Sequence, residues 1–178
     1  MAFNMGLYLH HMHRLDSNMC VAVNHTSRYK LIRESFKLVS RLGDGVFWYV
    51  LMVAILLLNG RDGLTPVLHM VLAAASGTVL YKWLKGKTLR PRPYEVRQEI
   101  KLGCAPLDKF SFPSGHTLHA VIFSIVALSY YPQLFIILVP FSSMVALSRV
   151  VLGLHYPSDV LAGALIGVLI AALSLLVV

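Results

Sequence analysis

Five apolar segments limit what this chain can fold into. The first, GVFWYVLMVAILLL at residues 45–58, is shorter than the roughly 20 residues that a helix needs to cross a bilayer. It reaches spanning length only if Leu42 and Gly43 are included, which places Asp44 at the membrane interface. The other segments cover residues 64–84, 117–131, 133–152 and 159–178. Because backbone N–H and C=O groups cannot face lipid unpaired, each segment is predicted to be a helix.

The composition also favours a membrane protein. Of the 178 residues, 57% are hydrophobic and 13% are charged, whereas a soluble domain carries about 45–50% apolar and about 25% charged residues. The formal net charge is +8. An excess of basic residues can bind nucleic acid, anionic lipid or a phosphorylated substrate. Because few chains this apolar bind nucleic acid, we expect a phosphate-bearing partner at the bilayer and no nucleic acid.

We therefore predict an all-α fold, an integral-membrane helical bundle of about five transmembrane helices with an N-terminal amphipathic helix. The third and fourth spans must form a tight hairpin, because only residues 131–133 separate them. The last segment contains small residues that permit close helix packing in lipid. These are Ala162, Gly163, Ala164, Gly167, Ala171 and Ala172.

Two parts of the chain are more polar. Residues 1–41 are predicted to be an N-terminal amphipathic or interfacial segment, and residues 42–178 a transmembrane domain. From Tyr29 the apolar residues recur at helical spacing among basic ones, which fits either a helix lying on anionic headgroups or a helix packed on the membrane domain. Residues 85–113 are predicted to be a catalytic loop, because their four prolines disfavour a long helix.

Three polar clusters fall at the ends of the apolar segments. They read KGKTLRPRP at residues 85–93, FPSGH at 112–116 and SRVVLGLHYPSD at 148–159. Lys85, Arg92 and Arg149 supply three cations, and arginine matches phosphate oxygens bidentately. Ser114 and Gly115 precede a helix that is predicted to begin near residue 116, where free N–H groups and the helix dipole attract an anion.

The same clusters contain two histidines and an acid. His155 and Asp159 are four residues apart and would share one face if that stretch were helical, although Pro157 can itself occupy the first turn of the last helix. His116 comes from a different segment. Two histidines, one of them oriented by a carboxylate, are typical of a nucleophile paired with a general acid.

Together the clusters resemble the signature motifs of the type 2 phosphatidic acid phosphatase and vanadium haloperoxidase superfamily. Those motifs are a lysine, six residues and Arg-Pro; then Pro-Ser-Gly-His; then Ser-Arg, five residues, His, three residues and Asp. All three are complete between residues 85 and 159. The apolar segments make the chain similar to the membrane branch, which contains bacterial lipid phosphatases such as those acting on undecaprenyl pyrophosphate.

The resemblance implies a role for each matching residue. His155 would attack phosphorus, Asp159 would orient it, and His116 would protonate the leaving oxygen and then activate water. The phosphate oxygens would be held by Lys85, Arg92, Ser114, Gly115 and Arg149. The scheme uses no metal or other cofactor. For residues outside the motifs, we expect a structural role at the interface for Asp44 and interpret His119 as a packed neighbour of His116.

The activity implied is that of a metal-independent lipid phosphatase. Its substrate would be a phosphate or pyrophosphate monoester of a lipid, with undecaprenyl pyrophosphate, phosphatidylglycerophosphate and phosphatidate as candidates. One alternative is a lipid-linked phosphotransferase, in which an acceptor other than water resolves the phosphohistidine. An alternative of another class is a non-catalytic membrane protein that binds anionic lipid. No obligatory protein partner is expected.

Two considerations about membrane orientation disagree. With five spans, residues 1–41 and 85–113 lie on one side together with nearly all Lys and Arg, and the positive-inside rule places that side in the cytoplasm. Bacterial members of the family that the chain resembles usually place the active site on the outer face. We expect a multi-pass protein of the cytoplasmic membrane; the resemblance favours an outward-facing site, and the sequence leaves the face undecided.

Overall fold

The computed structural model describes residues 5–177, with side chains described from residue 13 onward. Within that range the regular structure is helical throughout, which confirms the all-α prediction. The helices are α1 (Met5–Asn24), α2 (Lys30–Arg41), α3 (Phe47–Asn59), α4 (Leu64–Thr88), the short α5 (Pro93–Val96), α6 (Gly115–Tyr130), α7 (Phe135–Val151) and α8 (Pro157–Leu175). A π-helical turn, Leu42–Val46, joins α2 to α3.

The helices from α3 onward enclose an apolar core and turn other apolar side chains outward. Trp48 of α3 stacks on Phe123 of α6, with ring centroids 5.0 Å apart. The outward side is equally apolar, since Leu57 and Ile136 are each 80% exposed. A helix that is hydrophobic on all sides is typical of a membrane span, where lipid covers the outer face.

Helices α6 and α8 approach each other closely through glycine. A methyl group added at Gly163 would lie 2.5 Å from the carbonyl oxygen of Ser114, and one added at Gly167 would lie 2.8 Å from that of Leu118. Two of the small residues predicted to permit close packing therefore lie where the backbones nearly touch. The predicted hairpin is also present, because α6 ends at Tyr130 and α7 begins at Phe135.

The number of spans stays a prediction. Among the described residues, three helical runs are long and apolar enough to cross a membrane: Lys30–Val96, which contains α3 and α4, Pro132–Val151 and Pro157–Leu175. Helix α6 has 16 residues, which at 1.5 Å per residue is about 24 Å, less than the roughly 30 Å of a hydrocarbon core.

The N-terminal segment forms two helices where one amphipathic helix was predicted. Helix α2 packs against α7, and its Ser40 is buried there. Leu31 and Leu38 of α2 point outward. The helix thus combines contact with the membrane domain and an exposed apolar stripe. Both interpretations of this segment, a helix lying on lipid headgroups and a helix packed on the membrane domain, are consistent with these contacts.

Candidate active site

The residues predicted to be functional come from separate parts of the chain and meet at one end of the bundle. Hydrogen bonds connect these parts directly. The Ser114 N–H at the start of α6 donates to the Asp159 carbonyl in α8 over 3.0 Å, and the His155 N–H donates to the Arg149 carbonyl in α7 over 3.1 Å. Arg92 Nη1 donates over 2.7 Å to the carbonyl of the residue before His155.

His155 lies in the tight turn between α7 and α8, not within a helix. The turn depends on Gly153, whose φ of +73° lies in the left-handed region that favours glycine. A methyl group there would also come within 2.7 Å of Ile100 Cγ2. Helix α8 begins only at Pro157, so His155 and Asp159 meet across a helix N-terminus and not through helical periodicity.

The surroundings of His155 favour a neutral imidazole. The side chain is 1% exposed. Burial, followed by the positive charges of Arg149, Arg92 and Lys85, lowers the pKa of His155 well below its ordinary value. Its Nδ1 atom has no hydrogen-bond partner and lies 3.7 Å from Asp159 Oδ2. A neutral imidazole beside a carboxylate is suited to act as a nucleophile, and such contacts shorten when substrate binds.

Both carboxylate oxygens of Asp159 accept hydrogen bonds. Oδ2 accepts the backbone N–H of Tyr156 over 2.9 Å, which caps α8. Oδ1 accepts a hydrogen bond from Arg90 Nη1 over 2.5 Å. The carboxylate is fully buried, and a buried charge is tolerated when it is paired. Arg90 is therefore the counter-ion of this acid next to His155.

The sequence did not single out Arg90 or its own partner, Asp16. Arg90 Nη2 donates to Asp16 Oδ2 over 2.7 Å, and its guanidinium lies 4.1 Å from the centre of the Tyr156 ring. Asp16 Oδ1 also accepts the N–H of Ser158 over 3.0 Å. Helix α1 is thereby tied to the start of α8. Arg90 could have been noticed in the sequence because it belongs to the repeated Arg-Pro of the first cluster. No local sequence pattern distinguishes Asp16.

His116 has a carboxylate partner that the sequence did not predict. Its Nε2 shares a short hydrogen bond with Oδ1 of Asp44. Asp44 lies in the π-helical turn before α3, where Gly45 adopts a φ of +139° that only glycine tolerates easily. Asp44 was expected to have a structural role at the interface, and the structure adds a direct contact with this histidine. A carboxylate in that position stabilises a protonated imidazole.

The three predicted phosphate-binding cations are all buried. Lys85 Nζ donates to both carboxylate oxygens of Asp108, each over 2.7 Å. Arg92 Nη2 donates to Asp108 Oδ1 over 2.7 Å. Arg149 Nη1 donates to Ser40 Oγ over 2.5 Å, and its Nε has no partner. Three buried cations beside a single carboxylate leave an excess of positive charge that a bound anion can balance.

The N-terminus of α6 completes this group. Ser114 has extended backbone angles at the N-cap position and Gly115 is the first helical residue. The Ser114 N–H already donates to the Asp159 carbonyl, and the N–H groups that follow it lie at the positive end of the helix dipole. The Oγ atoms of Ser114 and Thr117 are 3.0 Å apart. His119, one turn further on, hydrogen-bonds the Gly115 carbonyl over 2.8 Å and Thr78 Oγ1 over 2.9 Å. Both of its ring nitrogens are thus occupied, as a packed neighbour's would be.

A cavity of about 710 Å³ opens between α3, α4 and α6. Its polar end includes Asp44, Lys85 and His116, and its deeper walls include Trp48 and Met52. Of the predicted site residues, Lys85, Gly115 and His116 line this cavity, whereas His155 is not among its lining residues. A charged group can therefore meet Lys85 and His116 there while a hydrocarbon chain extends between apolar helices. Its shape and chemistry match an amphiphile with an anionic head.

An all-α bundle with apolar outer faces and a buried cluster of cations and histidines at one end is the architecture of an integral membrane protein. Comparison with known proteins identifies the family. The model of the PAP2 superfamily matches residues 66–178, more than half of the chain. The chain belongs to the PAP2 superfamily.

Two curated relatives are undecaprenyl-diphosphatases. The enzyme of Sulfolobus acidocaldarius is 34% identical over 140 residues, which cover 76% of this chain and 66% of that protein. Undecaprenyl-diphosphatase BcrC of Bacillus subtilis is 29% identical over 128 residues, which cover 72% of this chain and 66% of that protein. The matched regions thus span just under two thirds of each relative's length.

Two solved structures share the fold over most of their length. Aquifex aeolicus LpxE superposes with a TM-score of 0.76 at 31% identity, covering 89% of this chain and 93% of that one. The first transmembrane PAP2-type phosphatidylglycerolphosphate phosphatase from Bacillus subtilis gives a TM-score of 0.64 at 27% identity, covering 88% and 83%. The predicted membrane helical bundle is thereby confirmed as a membrane PAP2 fold.

Proposed function

We propose that this protein hydrolyses the phosphate or pyrophosphate monoester of a membrane lipid through a phosphohistidine. The observation that carries the proposal is the pairing of a buried, neutral His155 with Asp159 at 3.7 Å, next to three buried cations. A purely structural role does not explain why so many charged groups are buried at one end of an apolar bundle, because burying charge costs several kcal/mol per ion.

The first step is transfer of the phosphoryl group to His155. Because Asp159 faces Nδ1, the opposite nitrogen, Nε2, attacks phosphorus, and the bond from phosphorus to the leaving oxygen breaks. His116 gives a proton to that oxygen. Asp44 supports the reaction by stabilising the protonated form of His116 beforehand. The cations and the α6 N-terminus stabilise the charge that develops on the phosphoryl oxygens.

The second step returns the histidine to its free form. His116, now neutral, takes a proton from water, and the oxygen of that water attacks phosphorus. The bond between phosphorus and His155 breaks, inorganic phosphate forms, and His116 is protonated again. Asp159 stabilises the positive charge that His155 carries while it is bonded to phosphorus. The two steps use groups of this chain and water.

Undecaprenyl pyrophosphate is the first substrate to test. The two curated relatives act on it according to their names, while a related structure is a phosphatidylglycerolphosphate phosphatase. A cavity with a polar end and apolar walls suits a lipid chain of either kind. We propose a pyrophosphate or phosphate monoester on a long-chain lipid, and a panel of undecaprenyl pyrophosphate, phosphatidylglycerophosphate, phosphatidate and lysophosphatidate separates the candidates.

The central test compares phosphate release by the wild type and by His155→Ala in detergent. Because loss of a nucleophile removes the covalent route, the variant should lose at least about 10³-fold in kcat. The matched control is His25→Ala, since that histidine is exposed and its ring shares a hydrogen bond with exposed Arg28, outside the proposed site. It should keep wild-type activity. Equal release by wild type and His155→Ala would exclude the nucleophile assignment.

Two further measurements separate catalysis from lipid binding. Labelled substrate should leave an acid-labile phosphoryl group on the wild type and none on His155→Ala. A protein that only bound anionic lipid would show neither the adduct nor phosphate release. Strong inhibition by EDTA would contradict a mechanism that uses protein groups alone.

We propose that the site faces the outer side of the cytoplasmic membrane, as is usual in bacterial members of the family. The short turn Gly60–Gly63 between α3 and α4 lies at the opposite end of the bundle, so it would face the cytoplasm. Arg61→Cys in a Cys104→Ser background tests this, because Cys20 is buried. An impermeant thiol reagent should not label intact cells, and labelling would place the site on the cytoplasmic side.

A further inference from the structure

Asp108 is the residue of the site whose position the mechanism above does not use. It lies in the irregular stretch between α5 and α6. Its carboxylate bridges two of the phosphate-binding cations: Oδ1 is 2.7 Å from Lys85 Nζ and 2.7 Å from Arg92 Nη2, and Oδ2 is 2.7 Å from Lys85 Nζ. Two anionic oxygens thus stand among the groups proposed to hold phosphate.

Counting donors shows how fully Asp108 occupies these cations. Lys85 has three N–H donors, and its three acceptors are the two Asp108 oxygens and the Phe110 carbonyl at 3.0 Å. Arg92 has five, and four of them serve the Asp108 carbonyl, the Asp108 carboxylate and the carbonyl before His155. Phosphate therefore finds no free donor on Lys85 and one on Arg92 while this carboxylate stays in place.

The carboxylate is also the part of this cluster that can move. The Asp108 side chain is 39% exposed, whereas the side chains of Lys85 and Arg92 are 8% and 2% exposed. Burial alone would raise the pKa of Asp108, but hydrogen bonds and charge from Lys85 and Arg92 bring that pKa below its ordinary value. The group is thus an ionised carboxylate at the edge of the site, on a segment without helical hydrogen bonds to hold it.

We propose that Asp108 is a built-in competitor of phosphate: its carboxylate occupies Lys85 and Arg92 in the free protein and swings into solvent when a phosphate group binds. This inference rests on the proposed function, because it assumes that these cations receive phosphate. The competition weakens binding of every anion at the site. It favours a multiply charged terminal phosphate or pyrophosphate over a singly charged phosphodiester, and it helps inorganic phosphate to leave.

If Asp108 instead only holds the two cations in place, removing its charge should weaken phosphate binding, whereas the proposal predicts that binding becomes tighter. The test is Asp108→Asn, which removes the charge and keeps the shape, measured by calorimetric titration of the purified protein with inorganic phosphate. Loss of a charge-assisted competitor should tighten phosphate binding on the order of tenfold. Vanadate should inhibit phosphate release at correspondingly lower concentration. Unchanged or weaker binding would overturn the proposal.

Two more variants keep the result interpretable. Asp108→Ala should also tighten phosphate binding, which covers the case in which the asparagine variant folds poorly. Glu99→Gln removes a charge from the same stretch, but this carboxylate pairs with Arg97 and not with the cluster; it should leave phosphate binding unchanged. Tightening by Glu99→Gln as well would show a general charge effect and overturn the assignment to Asp108.

The failure of this inference can be told from failure of the proposed function. If the wild type hydrolyses lipid phosphates and Asp108→Asn binds phosphate no tighter, only the role of Asp108 is wrong. If neither protein binds phosphate nor releases it from any lipid of the panel, the cation cluster is not a phosphate site, and the proposed function is wrong with it.

Discussion

Replacing Gly163 with alanine should disturb catalysis more than stability. Gly163 lies in α8 directly against the start of α6, and the added methyl carbon would lie 2.5 Å from the Ser114 carbonyl oxygen and 3.3 Å from its carbon. The obstacle is backbone, so no rotamer change relieves it. To restore an ordinary contact, the two helices must separate by roughly 0.5–0.9 Å.

The free energy of unfolding should change little. Overpacking a tight contact costs about 1–3 kcal/mol, and alanine in place of glycine within a helix returns about 1 kcal/mol. We therefore expect a net loss of about 1 kcal/mol. The separation occurs where the Ser114 N–H donates to the Asp159 carbonyl over 3.0 Å, so the α6 N-terminus moves relative to His155. A misplacement approaching 1 Å can reduce kcat by about 10²-fold.

The assay is thermal unfolding in detergent together with kcat and KM on the best lipid of the panel. Gly86→Ala is the matched control for stability, because a methyl group at that helical position meets no heavy atom within 4 Å. It should be neutral or stabilising by up to about 1 kcal/mol. If Gly163→Ala kept both wild-type stability and wild-type kcat, the close approach of α6 and α8 would not position the site.

Three other changes test the groups around the histidines. Arg90→Gln should lower kcat by on the order of 10²-fold, because Asp159 loses its counter-ion; Arg90→Lys should restore part of this, and equal activity of both variants would contradict a positioning role. Asp16→Asn should have a smaller effect of the same kind, seen in kcat and not in KM. Asp44→Asn should slow substrates with poor leaving groups most, because His116 is then a less available acid; a uniform loss across leaving groups would refute this. The pKa of His155 lies well below 6.5 in the folded protein. The loss of kcat/KM that protonation of His155 causes at acid pH should therefore have its midpoint below pH 6.5. The unfolded chain binds a proton at His155 below about pH 6.5 and the folded chain does not, so stability should fall as the pH drops through that range. In His155→Ala the fall should be smaller.

The helices and the motif residues could be predicted from the sequence because they depend on local patterns. Apolar segments of sufficient length can satisfy their backbone only as helices in a membrane. The residues proposed to carry the chemistry lie within motifs between residues 85 and 159, so their types and spacing identify them without a structure. The α6 start near His116 and the tight hairpin between α6 and α7 follow in the same way from a capping turn and a short connection.

The tertiary structure alone decided which carboxylates lie against those motif residues. Asp44 reaches His116 across 72 positions in sequence, and Asp16 reaches Arg90 across 74. Asp108 reaches Lys85 across 23 positions and Arg92 across 16, through a stretch that has little regular structure besides the short α5. Such contacts depend on which ends of the helices pack together, and neither periodicity nor composition records that. The sequence by itself therefore determined the membrane fold and the residues proposed to bind and transfer phosphate, while helix packing decided how their charges are balanced.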